Sequence, residues 1–139
     1  MTARLFSVPD HYGKAAEKAY QQTVQKALTT FGWRWNHCYP LRTEHGWRTG
    51  TTEKGWPDLT CFRRGYVLGV EIKGFDAKGH PTPFQPGQIE WLEEFAMIPT
   101  GRAWVLRPTD HWPDTVEWLR APETAPRRFG YQVPVSQPR

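Results

Sequence analysis

The segment from residue 57 to residue 73, PDLTCFRRGYVLGVEIK, constrains the fold of this chain more than any other. Two largely apolar runs flank an Arg-Arg-Gly turn, which predicts an antiparallel hairpin. Because residues two apart in a strand share a face, Glu71 and Lys73 are expected to point together, with Ile72 pointing into the core. Burying such charges is unfavourable unless they are paired or bound to something. The pair is therefore either a salt bridge on a half-exposed sheet face or part of a functional site.

The hairpin prediction adds a second carboxylate to this pair. It brings Asp58, at the start of the first strand, beside the end of the second strand, where Glu71 and Lys73 lie. Two neighbouring carboxylates repel each other unless a cation lies between them. Oxygen ligands of this kind suit Mg²⁺ or Mn²⁺, and a nearby lysine can steady a phosphate or an attacking hydroxide. The segment thus predicts a site for a hard divalent cation.

The spacing of apolar residues along the rest of the chain predicts an α/β fold, a small mixed sheet flanked by helices. A helix is expected to begin near Pro9-Asp10 and to stop at Gly32, and an aromatic strand follows over 31–39. The other predicted elements are a long loop over 40–56, the hairpin strands 57–62 and 66–73, a loop over 74–83, a helix with Pro86 at its first position, a strand over 102–107 and a short helix within 108–119.

The length and composition set the domain number and the class of partner. The 139 residues are enough for one domain, expected over 1–120, with a Pro-rich tail over 121–139. A formal charge of +4 is compatible with a polyanionic partner. Cys38 and Cys61 have no CxxC spacing and are expected to be reduced thiols. With no apolar run near the roughly 18 residues of a membrane span, we expect a cytoplasmic protein without a membrane partner.

Several short motifs follow one another in a specific order. They are Glu17 and Gln21 on the first helix, Gly32-Trp33, His37, the run KGWPDL from Lys54 to Leu59, Glu71-Ile72-Lys73, Gly79, Pro83, the run QIEWL from Gln88 to Leu92, and Arg107-Pro108. This series resembles the PD-(D/E)xK nuclease superfamily and, more narrowly, its VRR-NUC group of virus-type replication-repair nucleases, small stand-alone phage proteins. The resemblance covers about residues 14–120. Gln85 lies three residues before Gln88, but the following Trp-Leu favours Gln88 for the family glutamine.

The resemblance implies a restriction-endonuclease-like core and a role for each residue of the central motif. Asp58 and Glu71 would ligate Mg²⁺, for which Mn²⁺ substitutes, and the carbonyl of Ile72 would complete the site. Lys73 would be the catalytic lysine. Glu17 would be a direct or water-linked ligand.

For two of the residues to which the resemblance assigns a role, a different role is also open. Glu17 lies on a helix stripe with Val24 and Leu28, near an inward face, although a solvated helix residue is the alternative. Gln88 would orient Lys73 or a phosphate, and its alternative is a simple helix cap.

Basic residues in two connecting segments are candidates for contacts with DNA phosphates, which position the substrate rather than specify its sequence. Arg42, Arg48 and Lys54 lie in the predicted loop over 40–56. Arg63 and Arg64 occupy the hairpin turn, where plain solvated charge is an equal alternative.

The implied function is that of a metal-dependent, structure-selective DNA endonuclease resembling a Holliday-junction resolvase. Such an enzyme cuts two strands symmetrically, so a two-fold homodimer is expected. The candidates for an aromatic dimer surface are Trp47, Trp104, Trp112 and Trp118. The alternatives are a flap or nicking endonuclease of DNA replication or repair, a DNA-binding module that does not cleave, and a sugar- or nucleotide-binding protein that uses its tryptophans.

Overall fold

The structure is a computed structural model of the chain, and it describes residues 12–38, 40–43, 46–49 and 53–133, with the backbone alone described for 40–43 and 47–49. The predicted helix start at Pro9-Asp10 lies outside these residues. The elements in chain order are α1 Lys14–Thr30, β1 Arg34–His37, β2 Pro40–Thr43, β3 Gly46–Thr49, β4 Leu59–Arg63, β5 Tyr66–Ile72, α2 Gln88–Met97, β6 Gly101–Leu106, α3 Trp112–Arg120, a 3₁₀ helix Pro122–Thr124 and β7 Arg128–Phe129.

The predicted mixed sheet flanked by helices is confirmed. Its strand order is β1-β4-β5-β6-β7, and β2 and β3 pair separately as a hairpin. The pairs β1–β4 and β4–β5 are antiparallel, whereas β5–β6 and β6–β7 are parallel. The parallel β5–β6 pair is connected through α2, which is the crossover that two parallel neighbours require.

The β4–β5 hairpin forms as predicted, with Leu59 opposite Val70 and Arg63 opposite Tyr66. Its two turn residues, Arg64 and Gly65, have φ angles of 47° and 88°. Positive φ at both central positions is typical of the turns whose twist matches that of the flanking strands. The register places the residue before β4 at the same end of the sheet as the last residues of β5.

Helices cover both faces of the sheet. On one face α1 and α3 form a core that contains Tyr20, Val24, Leu28, Leu59, Leu68, Trp104, Val116 and Leu119. On the other face α2 forms a smaller core that contains Leu92, Phe95, Ala96, Ala103 and Val105. α2 lies so close to β5 that a Cβ at Gly69 would be 2.9 Å from the Phe95 ring. A strand buried on both faces explains why β5 has no polar alternation.

Three local predictions differ from the structure. The predicted loop over 40–56 contains the β2–β3 hairpin, in which Thr43 pairs with Gly46. The predicted tail contributes β7, and Trp104 Nε1 donates a 2.9 Å hydrogen bond to the Pro126 carbonyl, so this segment packs on the domain. α2 begins at Gln88 after a left-handed Gly87, so Pro86 precedes the helix.

The tryptophans proposed for a dimer surface are mostly core residues. Trp104 is 0% exposed and Trp112 is 5% exposed, so neither can form a surface of the folded monomer. Trp118 is half-buried against Trp104 and Phe129, with ring centroids 5.6 and 4.9 Å away. The side chain of Trp47 lies outside the described residues. No helix in the described part of the chain is long and apolar enough to cross a membrane.

Candidate active site

The candidate site lies at the sheet edge where β4 begins and β5 ends. Asp58 immediately precedes β4, and the pairing of Leu59 with Val70 places it beside Glu71. Lys73 follows β5, and its backbone N–H donates to the Leu106 carbonyl at 3.0 Å. The hairpin therefore brings together the two carboxylates and the ammonium group that the sequence predicted to be neighbours.

Asp58 is held by the backbone on both sides. Its Oδ2 accepts a 2.7 Å hydrogen bond from the Ile72 N–H, and its carbonyl accepts one of 2.9 Å from Cys38. Burial raises the pKa of the Asp58 carboxyl. The hydrogen bond from the Ile72 N–H and the charges of Lys73 and His37 lower it. Asp58 is therefore fixed in position, with its position set by main-chain atoms of β5.

Glu71 is only 3% exposed. Its Oε1 accepts a hydrogen bond of 3.0 Å from Gln88 Nε2, whereas the buried Oε2 of the ionised group has no hydrogen-bond partner among the described residues. Burial first, and then the Asp58 carboxylate, raise the pKa of Glu71 well above its usual range. When Glu71 is protonated, it can donate a hydrogen bond to Asp58. Without a cation, the two carboxyl groups therefore retain a proton at pH values above those at which carboxyl groups usually ionise.

Lys73 is 5% exposed, which is unusual for a lysine. Its Nζ donates to the Pro83 carbonyl at 3.1 Å and lies 5.5 Å from the centroid of the Phe84 ring. The positive charge of Lys73 lowers the pKa of both Asp58 and Glu71. One carbonyl and one aromatic face thus hold the ammonium group beside the two carboxylates, with donor capacity left for a further acceptor.

Glu17 reaches the same site from the first turn of α1 and is half-buried. Its Oε2 would lie 3.0 Å from a Cβ at Gly74, so the absence of a side chain there makes room for the carboxylate. Burial and then the charge of Asp58 raise the pKa of Glu17, and Lys73 lowers it. These interactions place Glu17 within electrostatic range of the central residues, on an inward-facing side of α1.

Gln88 contacts a carboxylate of the site, and its expected role toward Lys73 or a phosphate stays a prediction. Its Nε2 donates to Glu71, and its Oε1 accepts a 2.7 Å hydrogen bond from the backbone N–H of Gln85. Both ends of the amide are engaged, which fixes its orientation. Gln88 is the first residue of α2, so this contact couples the start of the helix to the Glu71 carboxylate.

A second polar pair connects two further motif residues. Gln21 Nε2 lies 2.8 Å from His37 Nε2. Burial lowers the pKa of His37, so the neutral ring is favoured and can accept a hydrogen bond from the amide. The negative charge of Asp58 raises the pKa of His37, so His37 is within electrostatic range of Asp58. The Gln21–His37 pair therefore lies beside the candidate site, on the side of α1.

The predicted DNA-contact residues do not all lie near this site. Arg63 Nη1 donates to the carbonyls of Leu119 and Arg120, at 3.1 and 2.7 Å, and so caps the end of α3. Arg64 is exposed at the hairpin turn and is separated from Asp58 by the five residues of β4, a distance of about 20 Å. Lys54 is exposed in the turn before β4.

The other two predicted contact residues lie on the separate hairpin. The backbone of Arg42 belongs to β2 and that of Arg48 to β3, and their side chains lie outside the described residues.

A cation would fit the site through Asp58, Glu71 and the Ile72 carbonyl. The observation that favours it is the buried, unpartnered Glu71 Oε2, since a buried carboxylate oxygen without a donor is stabilised by a positive ion. Across the described residues, no three His, Cys, Asp or Glu side chains converge as a complete cation-binding group. Two side-chain carboxylates and a main-chain carbonyl thus make up the proposed ligand set.

Sequence reasoning missed two features around the site. Pro83 and Phe84 enclose the Lys73 ammonium group. A groove beside Glu17 is lined by Lys14, Lys18, Gln21, Gln22, Gln25 and His37. The helical spacing of these α1 residues was the signal that could have revealed the groove.

No model of a known protein family matches the chain, and neither the curated proteins nor the solved structures contain a match to it.

Proposed function

We propose that this protein is a metal-dependent DNA endonuclease that hydrolyses phosphodiester bonds, built on a restriction-endonuclease-like PD-(D/E)xK core of the VRR-NUC type. The observation that carries the proposal is the half-buried Asp58 next to the buried Glu71 and the buried Lys73, with one Glu71 oxygen left without a donor. Two neighbouring carboxylates, one of them buried, repel each other and destabilise a fold, so their presence at one sheet edge favours a functional role.

The fold supports the same proposal. The order of elements along the chain is a helix, an antiparallel three-stranded unit, a crossover helix and a parallel strand. The β2–β3 hairpin is inserted after β1. The acidic residues and the lysine lie on the central β4–β5 hairpin, and α1 and α2 supply Glu17 and Gln88 from either side. This arrangement of the acidic residues, the lysine and the glutamine supports the proposal.

In the proposed mechanism, Asp58 and Glu71 hold a divalent cation together with the Ile72 carbonyl. When bound, Mg²⁺ supplies a water of lowered pKa and neutralises charge on the phosphate. Gln88 holds the Glu71 carboxylate in place, and the Ile72 N–H holds Asp58. Lys73 donates to the attacking oxygen or to a non-bridging phosphate oxygen. Because the ammonium group is already fixed by Pro83 and Phe84, it needs little rearrangement to do so.

Branched DNA is the substrate class that the motif resemblance implies, with a Holliday-junction resolvase as the leading form of the proposal. A resolvase of this kind acts as a two-fold dimer, and its interface would exclude the buried Trp104 and Trp112. A non-cleaving DNA-binding module is disfavoured because buried carboxylates facing a polyanion weaken binding unless a cation is present.

The test is a cleavage assay with purified protein on labelled four-way junctions, flaps and linear duplex DNA, in Mg²⁺ or in EDTA. Wild-type protein is expected to cut in Mg²⁺ or Mn²⁺ and not in EDTA. Glu71→Gln should reduce the rate by at least about a hundredfold, because it removes a ligand charge at the reacting centre. The matched control is Glu90→Gln, which makes the same change at an exposed position of α2.

The substrate panel separates the forms of the proposal. Paired symmetric nicks on the junction support a resolvase, whereas cutting confined to flaps or nicked duplex supports a replication or repair endonuclease. Binding of DNA without cleavage of any substrate in either metal would refute the enzymatic proposal and leave a DNA-binding module.

A further inference from the structure

A groove runs along the solvent side of α1 and opens beside the candidate active site. Lys14, Lys18, Gln22 and Gln25 line it from α1, and His37 lines it from β1. The same groove includes Glu17, whose Oε2 would lie 3.0 Å from a Cβ at Gly74, the residue that follows Lys73. The groove is therefore continuous with the site through Glu17, and not a separate depression elsewhere on the surface.

The side chains of the groove are suited to a polyanion. Lys14 and Lys18 are exposed and one helical turn apart, about 5–6 Å between their Cβ atoms. Glu17 is the carboxylate among the lining residues, which carry two lysines. The glutamine amides provide donors for phosphate and sugar oxygens without adding charge. The start of α1 lies at the Lys14 end, where the helix dipole also favours negative charge.

We propose that this groove binds the phosphate backbone of the DNA strand next to the scissile phosphate. The inference rests on the proposed nuclease function and identifies the surface that holds the substrate. Lys14 and Lys18 would contact successive phosphates, and Gln22 and Gln25 would extend the track away from Glu17. This surface is distinct from the basic residues of the β2–β3 hairpin and of the β4–β5 turn.

The length of the groove sets the length of DNA that it can hold. From Lys14 to Gln25 the helix rises about 16 Å, at roughly 1.5 Å per residue. At about 3.4 Å of axial rise per nucleotide, this corresponds to roughly five nucleotides of one strand. Substrates with fewer nucleotides on that side of the cleaved bond should be bound less tightly.

The test measures DNA affinity separately from cleavage. Fluorescence anisotropy with labelled duplex and four-way-junction DNA in EDTA gives Kd for the wild type, for Lys14→Ala/Lys18→Ala and for Lys26→Ala. Lys26 is the matched control, since it is an exposed lysine of α1 that does not line the groove. The double variant should raise Kd about tenfold and reduce the salt slope of log Kd by about 2, with Lys26→Ala unchanged.

The outcomes separate this inference from the proposed function. If the double variant and Lys26→Ala bind DNA equally well while the wild type cleaves in Mg²⁺, the groove is not the substrate track and the nuclease proposal stands. If affinity depends on Lys14 and Lys18 but no substrate is cut, the groove is supported and the nuclease proposal fails. If the wild type binds neither DNA in EDTA and cuts no substrate in Mg²⁺, both are refuted.

Discussion

Replacing Glu71 with glutamine should stabilise the metal-free protein while it removes the proposed activity. Ionised Glu71 carries a negative charge at a 3% exposed position beside Asp58. Glutamine has nearly the same shape and keeps the oxygen that accepts from Gln88. Its amide nitrogen would take the place of the unpartnered Oε2 and can donate to Asp58. The substitution thus removes a group that must either retain a proton or carry a buried charge, and it creates no cavity.

The magnitude follows from the burial of this charge. Replacing buried ionic groups by neutral residues of similar volume is neutral or stabilises proteins by about 1–4 kcal/mol. With one orphaned oxygen and one repulsive neighbour, we expect a gain of about 2 kcal/mol in the free energy of unfolding at pH 8 in EDTA. For a domain of this size, that gain corresponds to an increase in Tm of roughly 4–8 °C.

The gain should depend on pH with a defined sign. The pKa of Glu71 is raised in the folded state, so below the carboxyl pKa of the unfolded chain, about 4.3, the group is protonated in both states and the variant gains little. Above that pH the unfolded chain ionises first, which destabilises the folded wild type progressively up to the folded pKa. The stability difference between variant and wild type should therefore be small near pH 4.5 and should increase as the pH rises to 8.

Urea unfolding followed by tryptophan fluorescence measures this difference at both pH values. Glu90→Gln, at an exposed position, should change stability by less than about 0.5 kcal/mol at either pH. Mg²⁺ at about a hundred times its Kd should stabilise the wild type by roughly 2.7 kcal/mol and the Glu71→Gln variant much less. A variant that is less stable than the wild type at pH 8 in EDTA, or a gain that is the same at both pH values, would refute the reasoning.

Three further predictions concern stability, each measured by thermal or urea unfolding. Arg63→Ala should lose about 1–2 kcal/mol, because it removes the hydrogen bonds to the last carbonyls of α3, whereas Arg64→Ala in the same turn should change little; equal effects would contradict the capping role. Gly101→Ala should lose at least about 1–3 kcal/mol, since its Cβ would overlap a backbone oxygen of α2; unchanged stability would contradict this packing. Truncation after Arg120 removes β7 and the acceptor of the buried Trp104 indole, so it should lose at least about 2 kcal/mol, and an unaltered Tm would show that the segment is a dispensable tail.

The β4–β5 hairpin and its charged residues were predictable because the information is local. The Arg-Arg-Gly turn fixes the register of the hairpin, and the register alone brings Asp58 to Glu71. The helical stripe of α1 likewise indicated that Glu17 faces inward. In these cases a period of two or of 3.6 residues determines which side chains share a face.

The contacts that sequence reasoning missed depend on residues that are distant in the chain. β7 has two residues and no detectable periodicity, and it exists because β6 offers an edge for pairing. Arg63 reaches carbonyls 56 and 57 residues away, which no turn propensity encodes. Gln88 donates a hydrogen bond to Glu71 because α2 crosses back over β5. This contact depends on how the helix packs on the sheet, which the local sequence around Gln88 does not encode.

The most direct test of the account is the single-turnover rate of DNA cleavage in Mg²⁺ by the Lys73→Ala variant, compared with Lys26→Ala and with the wild type in EDTA. Lys73 is buried beside the two carboxylates, whereas Lys26 is exposed on the far side of α1. The account predicts a rate at least about a hundredfold lower for Lys73→Ala, with DNA affinity retained and with Lys26→Ala unchanged. Equal Mg²⁺-dependent rates for Lys73→Ala and wild type would contradict the assignment of this site to catalysis.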